Sequence, residues 1–193
     1  GAFSIRPMRL SRRNFRIALP AFVAASLVVI LLTLEHQISH RRWPVKTLSD
    51  ADRTEVARVP VDTTVRFLAS LPRVAPPLPH DRRIPPHEIT VYRVRARLGS
   101  VHKMLDGDFH VAIADPEFPD SRMIVEIPAP GEGRSTGLAP LFREARRIVL
   151  QRGAKGRLIR VTGVGFFDYT HWQPGAARNG FELHPVLSVE FLD

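Results

Sequence analysis

Three alternating strands, one amphipathic helix and two further strands, in that order, predict a mostly β, α+β domain over residues 87–193. Its expected form is an OB-fold-like five-stranded barrel with the helix between strands three and four. Two further observations frame the chain. The 193 residues contain no cysteine, which excludes a disulfide framework, a zinc ribbon, an iron–sulfur cluster and a thiol nucleophile. The net charge of +9 is carried almost entirely outside the domain. Residues 1–86 hold 14 basic and 6 acidic side chains, and residues 87–193 hold 14 and 13. Nucleic-acid binding by the folded domain is therefore not expected, although the whole-chain charge invites it.

Four segments follow from the N-terminus. Residues 1–16 form a basic n-region with Arg6, Arg9, Arg12, Arg13 and Arg16 and no acid. Residues 17–34, IALPAFVAASLVVILLTL, are uncharged and reach about 27 Å as a helix, near the minimum for a bilayer span. Five arginines before this segment, against Arg41, Arg42 and Lys46 after it, favour a cytoplasmic N-terminus. The expectation is a single-pass inner-membrane anchor with the C-terminal domain periplasmic or extracellular, so the membrane is a partner through 17–34. The alternative is export after cleavage, because Ser11-Arg12-Arg13-Asn14-Phe15 resembles a twin-arginine signal. Residues 35–86 read as a linker with short helices. Capping-box spacing at Ser49–Asp52 opens one helix and Asp62 caps another through Leu71. Six prolines between Pro72 and Pro86 then enforce extended geometry.

Within 87–193, Tyr92, Val94, Ala96 and Leu98 alternate with Arg93, Arg95 and Arg97, giving a strand with an apolar inner and a basic outer face. Asp106-Gly107 turns the chain into a second strand with Phe109, Val111 and Ile113 inward. A third strand covers 122–127 and stops at Pro128 and Pro130. Residues 141–150 form the helix, with Leu141, Phe142, Ala145, Ile148 and Val149 toward the core and Gly153 as its stop. A fourth strand runs from 157 to 167, with Gly163 and Gly165 predicting a bulge. After the Asn179-Gly180 turn, the last strand (181–192) is expected to bury Phe181, Leu183, Pro185, Leu187, Val189 and Phe191. Glu182, His184, Ser188 and Glu190 are expected on the other face.

The stretches GVGFFD (163–168), His171-Trp172-Gln173-Pro174-Gly175 and Glu182-Leu183-His184-Pro185-Val186-Leu187 carry a resemblance. Asp106–His110 and Met123–Glu126 extend it over most of 87–193. They resemble a group of uncharacterised, often exported bacterial domains with GVGFFD, H-x-Q-x-G and ELHPVL, which implies an OB-like barrel and no particular activity. Asp106-Gly107-Asp108 is also similar to the D-G-D-T motif of thermonucleases, calcium-dependent OB-fold phosphodiesterases. That similarity implies Asp108 as a cation ligand and Asp106 and Asp108 as the acidic pair of a metal-dependent phosphodiesterase. Phe109 stands where that family has Thr, and no motif here matches its catalytic arginines and glutamate.

Other chemistry is sparse. No P-loop, G-x-S-x-G elbow or dinucleotide loop occurs, and no cofactor is expected. Asp108, His110, Asp168, His171 and His184 are the residues able to hold a metal, but a spacing of three puts Asp168 and His171 on opposite faces of a strand. Arg93, Arg95, Arg97, His110, His171 and Trp172 form the candidate ligand-binding surface, with the arginine charge offset by Glu126, Glu182 and Glu190. The leading expectation is an exported, membrane-anchored binding or scaffolding module whose partner is a protein. The rival is the metal-dependent phosphodiesterase.

Overall fold

The computed structural model describes residues 22–30, 33, 41–151, 154–169 and 174–192. The chain divides into two compact units, Gly1–His40 and Arg41–Asp193. In the first, residues 22–30 and 33 are helical. Among the described residues, no helix is long and apolar enough to cross a membrane. The n-region 1–16 and eight of the 18 residues of the span expected over 17–34 lie outside the described residues.

The second unit begins with α1 (Trp43–Lys46), a 3-10 turn (Ala51–Glu55), β1 (Val61–Thr64), α2 (Val65–Ala69) and a second 3-10 turn (His87–Ile89). Then come β2 (Val91–Lys103), β3 (Phe109–Ala114), β4 (Arg122–Ile127), α3 (Ala139–Val149), β5 (Leu158–Phe167) and β6 (Phe181–Phe191). Strands β2, β3, β4, β6 and β5 pair in that order, and β5 returns to β2, closing a five-stranded barrel. The pairing is mixed: β4 meets β6 in parallel at Val125 and Leu183, and the other barrel pairs are antiparallel. Helix α3 lies in the chain between the third and fourth barrel strands.

Alternation fills the barrel as the pattern predicts on β2, β3 and β4. Tyr92, Val94, Ala96, Leu98, Phe109, Val111, Ile113, Met123, Val125 and Ile127 all join one core. Helix α3 contributes Phe142, Ala145 and Val149, whereas Leu141, expected toward the core, is exposed beside that face. The expected bulge is present, and it changes β6. Gly165 faces Leu183 and Gly163 faces Val186, so β6 carries an extra residue between them. Val186 therefore enters the core in place of Pro185 and Leu187, and a second shift, between Thr162 and Gly163, returns Val189 to the core as expected. Gly165 admits no side chain: a Cβ there would lie 2.2 Å from the His87 carbonyl oxygen.

Two local expectations are corrected. Asp62 does not cap a helix but sits in β1, which pairs in parallel with β2 outside the barrel. The cap of α2 is Thr64, whose Oγ1 accepts from the Phe67 amide at 3.0 Å. The turn at Ala51–Glu55 has Asp50 at its N-cap position without a side-chain cap.

From Arg41 onward the proline-rich stretch is part of the barrel unit. Val65, Leu68, Leu71 and Leu78 reach the main core. A second fastening is polar. Arg42, 1% exposed, donates to both Glu88 carboxylate oxygens at 2.6 and 2.7 Å and to the carbonyls of Pro79, Arg82 and Phe167. Arg83 forks onto Asp50 at 3.0 and 2.6 Å and also donates to the carbonyls of Val45 and Glu88. Glu88 accepts in addition from the amides of Ile84 and Phe167. Each of these buried charges thus has a partner, with five hydrogen bonds from Arg42 and four from Arg83, the condition under which buried ion pairs hold. These bonds clamp the strap 42–50 across the barrel.

Candidate metal centre

On β3, β4 and β6 the residues between the core positions point away from the barrel interior, and those nearest the strap are polar. His110 lies on β3, Glu126 on β4, and Glu182 and His184 on β6. On an uncovered strand these would be solvated. Here the strap covers them, with the Arg42 guanidinium 4.9 Å and the Lys46 ammonium 5.5 Å from the centroid of the Phe166 ring. His184 is fully buried, Glu126 1% exposed and Glu182 4% exposed.

Two loop aspartates and one lysine complete the group. Asp108 follows the turn in which Asp106 Oδ1 accepts from the Asp108 amide. Arg146 fixes that turn by donating to the carbonyls of Gly107, Ile127 and Pro128. Asp108 Oδ1 accepts from the Ala129 amide at 2.9 Å, which leaves Oδ2 turned inward. Asp168 follows β5 and accepts from the Tyr169 amide. Lys46 ends α1 and lies 3.4 Å from Asp168 Oδ2 and 3.8 Å from Glu126 Oε2.

Glu126 is the hub. Its Oε1 lies 2.8 Å from His110 Nε2, and its Oε2 lies 2.8 Å from His184 Nδ1. Asp108 Oδ2 lies 3.6 Å from His184 Nε2. These three histidine contacts are ion-pair distances, and none of them is a well-aligned hydrogen bond. Among the described residues, six buried side-chain polar atoms lack a hydrogen-bond partner: Asp108 Oδ2, both Glu126 oxygens, Glu182 Oε2 and both His184 nitrogens. All six belong to this cluster. Buried polar atoms are nearly always satisfied, so six orphans in one place call for a missing partner.

Charge makes the same demand. Four carboxylates surround one ammonium, and the cluster rebalances by holding protons. Burial pushes Asp108 up to about 7, aided by the charges of Asp106 and Glu126. Burial likewise pushes Glu182 well above the usual carboxylate range, with Glu126 and Asp168 adding to it. Burial would also raise Glu126, but the Lys46 charge, with the His184 and His110 rings set against the carboxylate, outweighs it and holds that carboxyl well below its usual range. Burial would lower Lys46, yet the surrounding carboxylates keep it raised. Burial lowers His184, leaving a neutral imidazole suited to ligation. In His110 burial is outweighed by Glu126, and the ring is raised.

A stability trend with pH follows. Asp108, Glu182 and His110 all have raised values in the folded chain, so each contributes stability below its ordinary value and loses it as pH rises through its folded value. Between pH 6.5 and 8.5 all three act in one direction. His184 acts below its ordinary 6.5 and Glu126 below 4.5, outside this window. In metal-free buffer the chain is expected to lose stability from pH 6.5 to 8.5, by about 1 kcal/mol from Asp108 alone, or about 2–4 °C in Tm. With zinc or manganese added the trend reverses, since a cation competes with those protons. Thermal melts at the two pH values check both signs.

The donors fit a divalent cation. Asp108, Glu126 and His184 each offer one ligand atom within 4.8 Å of the others. Donors at about 2.0–2.2 Å from a tetrahedral ion stand about 3.4 Å apart, close to the 3.6 Å between Asp108 Oδ2 and His184 Nε2. Imidazole with carboxylate suits zinc, manganese or iron. Asp168 also borders a surface cleft of about 250 Å³ lined by Arg41, Arg73, Leu78 and Tyr169.

Of the metal candidates read from the sequence, Asp108, His110, Asp168 and His184 come together, and His171 lies outside the described residues. Asp106 stays at the turn. The candidate ligand-binding surface separates: His110 joins the cluster, and Trp172 lies outside the described residues. Arg93 and Arg95 border a different cleft of about 340 Å³ with Arg66, Phe118 and Arg160. Arg93 is paired with Asp62 at 2.6 Å, and Arg97 donates to the Gly156 carbonyl. The expected offset of the arginines by glutamates is corrected: Glu190 pairs with Arg160, while Glu126 and Glu182 are buried in the cluster. Sequence reasoning missed Glu126, Glu182 and Lys46 as site residues. The available signal was a charged residue inside the apolar runs MIVEI and FELHPV.

No family model and no curated protein matches the chain. Among solved structures it is similar to a putative aspartyl-tRNA synthetase from Leishmania major Friedlin, at 10% identity with a TM-score of 0.42. That likeness covers 70% of this chain and 21% of that one. It is also similar to apo TiaS, a tRNAIle2 agmatidine synthetase, at 15% identity with a TM-score of 0.30, covering 55% and 19%. The chain thus spans about a fifth of the length of each.

Proposed function

We propose that the chain is a metal-binding barrel of the OB type, carried on an N-terminal membrane anchor and exported. Asp108, Glu126 and His184 hold one divalent cation of the zinc, manganese or iron class, and His110 lies against Glu126 at the edge. The observation that carries this reading is the convergence, among the described residues, of six buried donor atoms outside any well-formed hydrogen bond with an excess of acidic groups. The stretches bearing the resemblance to exported bacterial domains support it, since 106–110, 123–126, 163–168 and 182–187 each supply residues to the cluster. The anchor and export rest on residues 1–34 of the sequence. The order of three strands, helix and two strands supports the OB assignment.

The test is equilibrium dialysis of the full chain, stripped with chelator, against zinc and manganese. One ion per chain is expected at micromolar free metal, with Asp108→Asn weakening it at least tenfold. No binding at millimolar metal would refute the reading. A second reading, a metal-dependent phosphodiesterase, is favoured by the Arg41 and Arg73 lining of the cleft at Asp168, which suits a phosphate. It relies on Asp108 and not on Asp106. Cleavage of plasmid by the metal-loaded chain, abolished in Asp108→Asn, distinguishes an enzyme from a binding module held by a protein partner.

A further inference from the structure

The cluster has two halves that share Glu126. Asp108, Glu126 and His184 form the first, and Glu126, Asp168 and Glu182 the second, each with donor atoms within 4.8 Å of one another. The second half is not vacant of charge, because Lys46 enters it. Its Nζ lies 3.4 Å from Asp168 Oδ2 and 3.8 Å from Glu126 Oε2, and the residue is 3% exposed.

We propose that Lys46 is a built-in cation filling a second metal place, so that the native chain takes one divalent ion and a chain without this ammonium takes two. The inference rests on the first half being a metal site.

Three observations carry it. The contacts of Lys46 are longer than the about 2.7–2.9 Å of a close ammonium–carboxylate bond, so the ammonium sits in a space built for tighter coordination. Glu182 Oε2 remains buried without a partner even with Lys46 present, an oxygen the lysine does not satisfy. Three carboxyl groups also converge on this single ammonium, which lies within 4 Å of only two of them. A divalent ion supplies twice that charge and draws oxygens to about 2.1 Å.

The two halves call for different ions. The first mixes nitrogen with oxygen. The second is all oxygen and suits a hard cation, for which manganese is the probe that also fits the first. Glu126 is the carboxylate common to both halves, and its Oε2 lies near both His184 Nδ1 and Lys46 Nζ. The strap explains why the native chain keeps Lys46 in place, since Arg42 and Asp50 on either side of it are clamped to Glu88 and Arg83. The lysine thereby fixes the number of ions at one and holds Glu126 ionised for the first.

The experiment measures manganese per chain at saturation by elemental analysis, with electron paramagnetic resonance on the same samples. The native chain and Lys46→Arg are expected to hold one ion with the six-line spectrum of isolated manganese. Lys46→Met is expected to hold two, with an exchange-broadened spectrum, and the double variant Lys46→Met/Glu182→Gln to return to one. A folded Lys46→Met that holds one ion, or a native chain that holds two, overturns the inference. If Lys46→Met does not fold in metal-free buffer, manganese must restore its far-ultraviolet spectrum with two ions bound, and failure to do so also overturns it. A native chain that holds none refutes the first site instead, so the two failures are distinguishable.

Discussion

Arg42→Ala is expected to cost on the order of 3–5 kcal/mol, the largest stability effect of any single substitution in this chain. The guanidinium is 1% exposed, forks onto Glu88 and closes three backbone carbonyls from two segments, 79–82 and the end of β5. Truncation leaves Glu88 charged, fully buried and short of a partner, and leaves the carbonyls of Pro79, Arg82 and Phe167 without this donor. Because Arg42 also fastens the strap, the loss reaches the centre: Lys46 is freed and the outer face of β4 and β6 is exposed to water. The expected result is a fall in Tm of about 6–20 °C. Arg42→Lys is expected to recover little, since an ammonium cannot reproduce the fork. Denaturant melts of both variants, with Glu88→Gln completing a double-mutant cycle, check the prediction. A drop in Tm within a degree of zero would contradict the clamp.

Glu126→Gln is expected to lower cation affinity at least a hundredfold, the largest effect on binding. Glu126 is common to both halves of the cluster and lies against His110, His184 and Lys46. An amide keeps the shape and removes the charge, so a loss of metal without a loss of fold assigns the effect to coordination. The same substitution relieves the repulsion that raises Glu182 and Asp108, and both carboxyls are expected to titrate lower. Titration of the two variants Glu126→Gln and Asp108→Asn with zinc, monitored by calorimetry, reads the affinities. Unchanged binding in Glu126→Gln would contradict its role as hub.

The barrel was legible because its strands carry local signals. Alternation on β2 and β3, the Asp106-Gly107 turn and the paired glycines of β5 each act over a few residues, and the structure uses them as expected. The extra residue in β6 was not legible, because a bulge is settled by which residues of β5 and β6 face each other. The larger miss was the strap. Nothing local says that Arg42 will meet Glu88 or that Lys46 will meet Asp168, 122 residues away. The outward faces of β4 and β6 therefore read as solvated, with Glu126 and Glu182 offsetting surface arginines. Asp108, His110, Asp168 and His184 were recognisable by residue type alone. Their convergence required the topology that places β3 beside β4 and β4 beside β6.

The most direct measurement is anomalous diffraction from crystals of the chain loaded with zinc. A single anomalous peak is expected at about 2.0–2.2 Å from Asp108 Oδ2, a Glu126 oxygen and a His184 nitrogen. A zinc-loaded crystal with no peak in this cluster, or with peaks at exposed histidines only, would contradict the account.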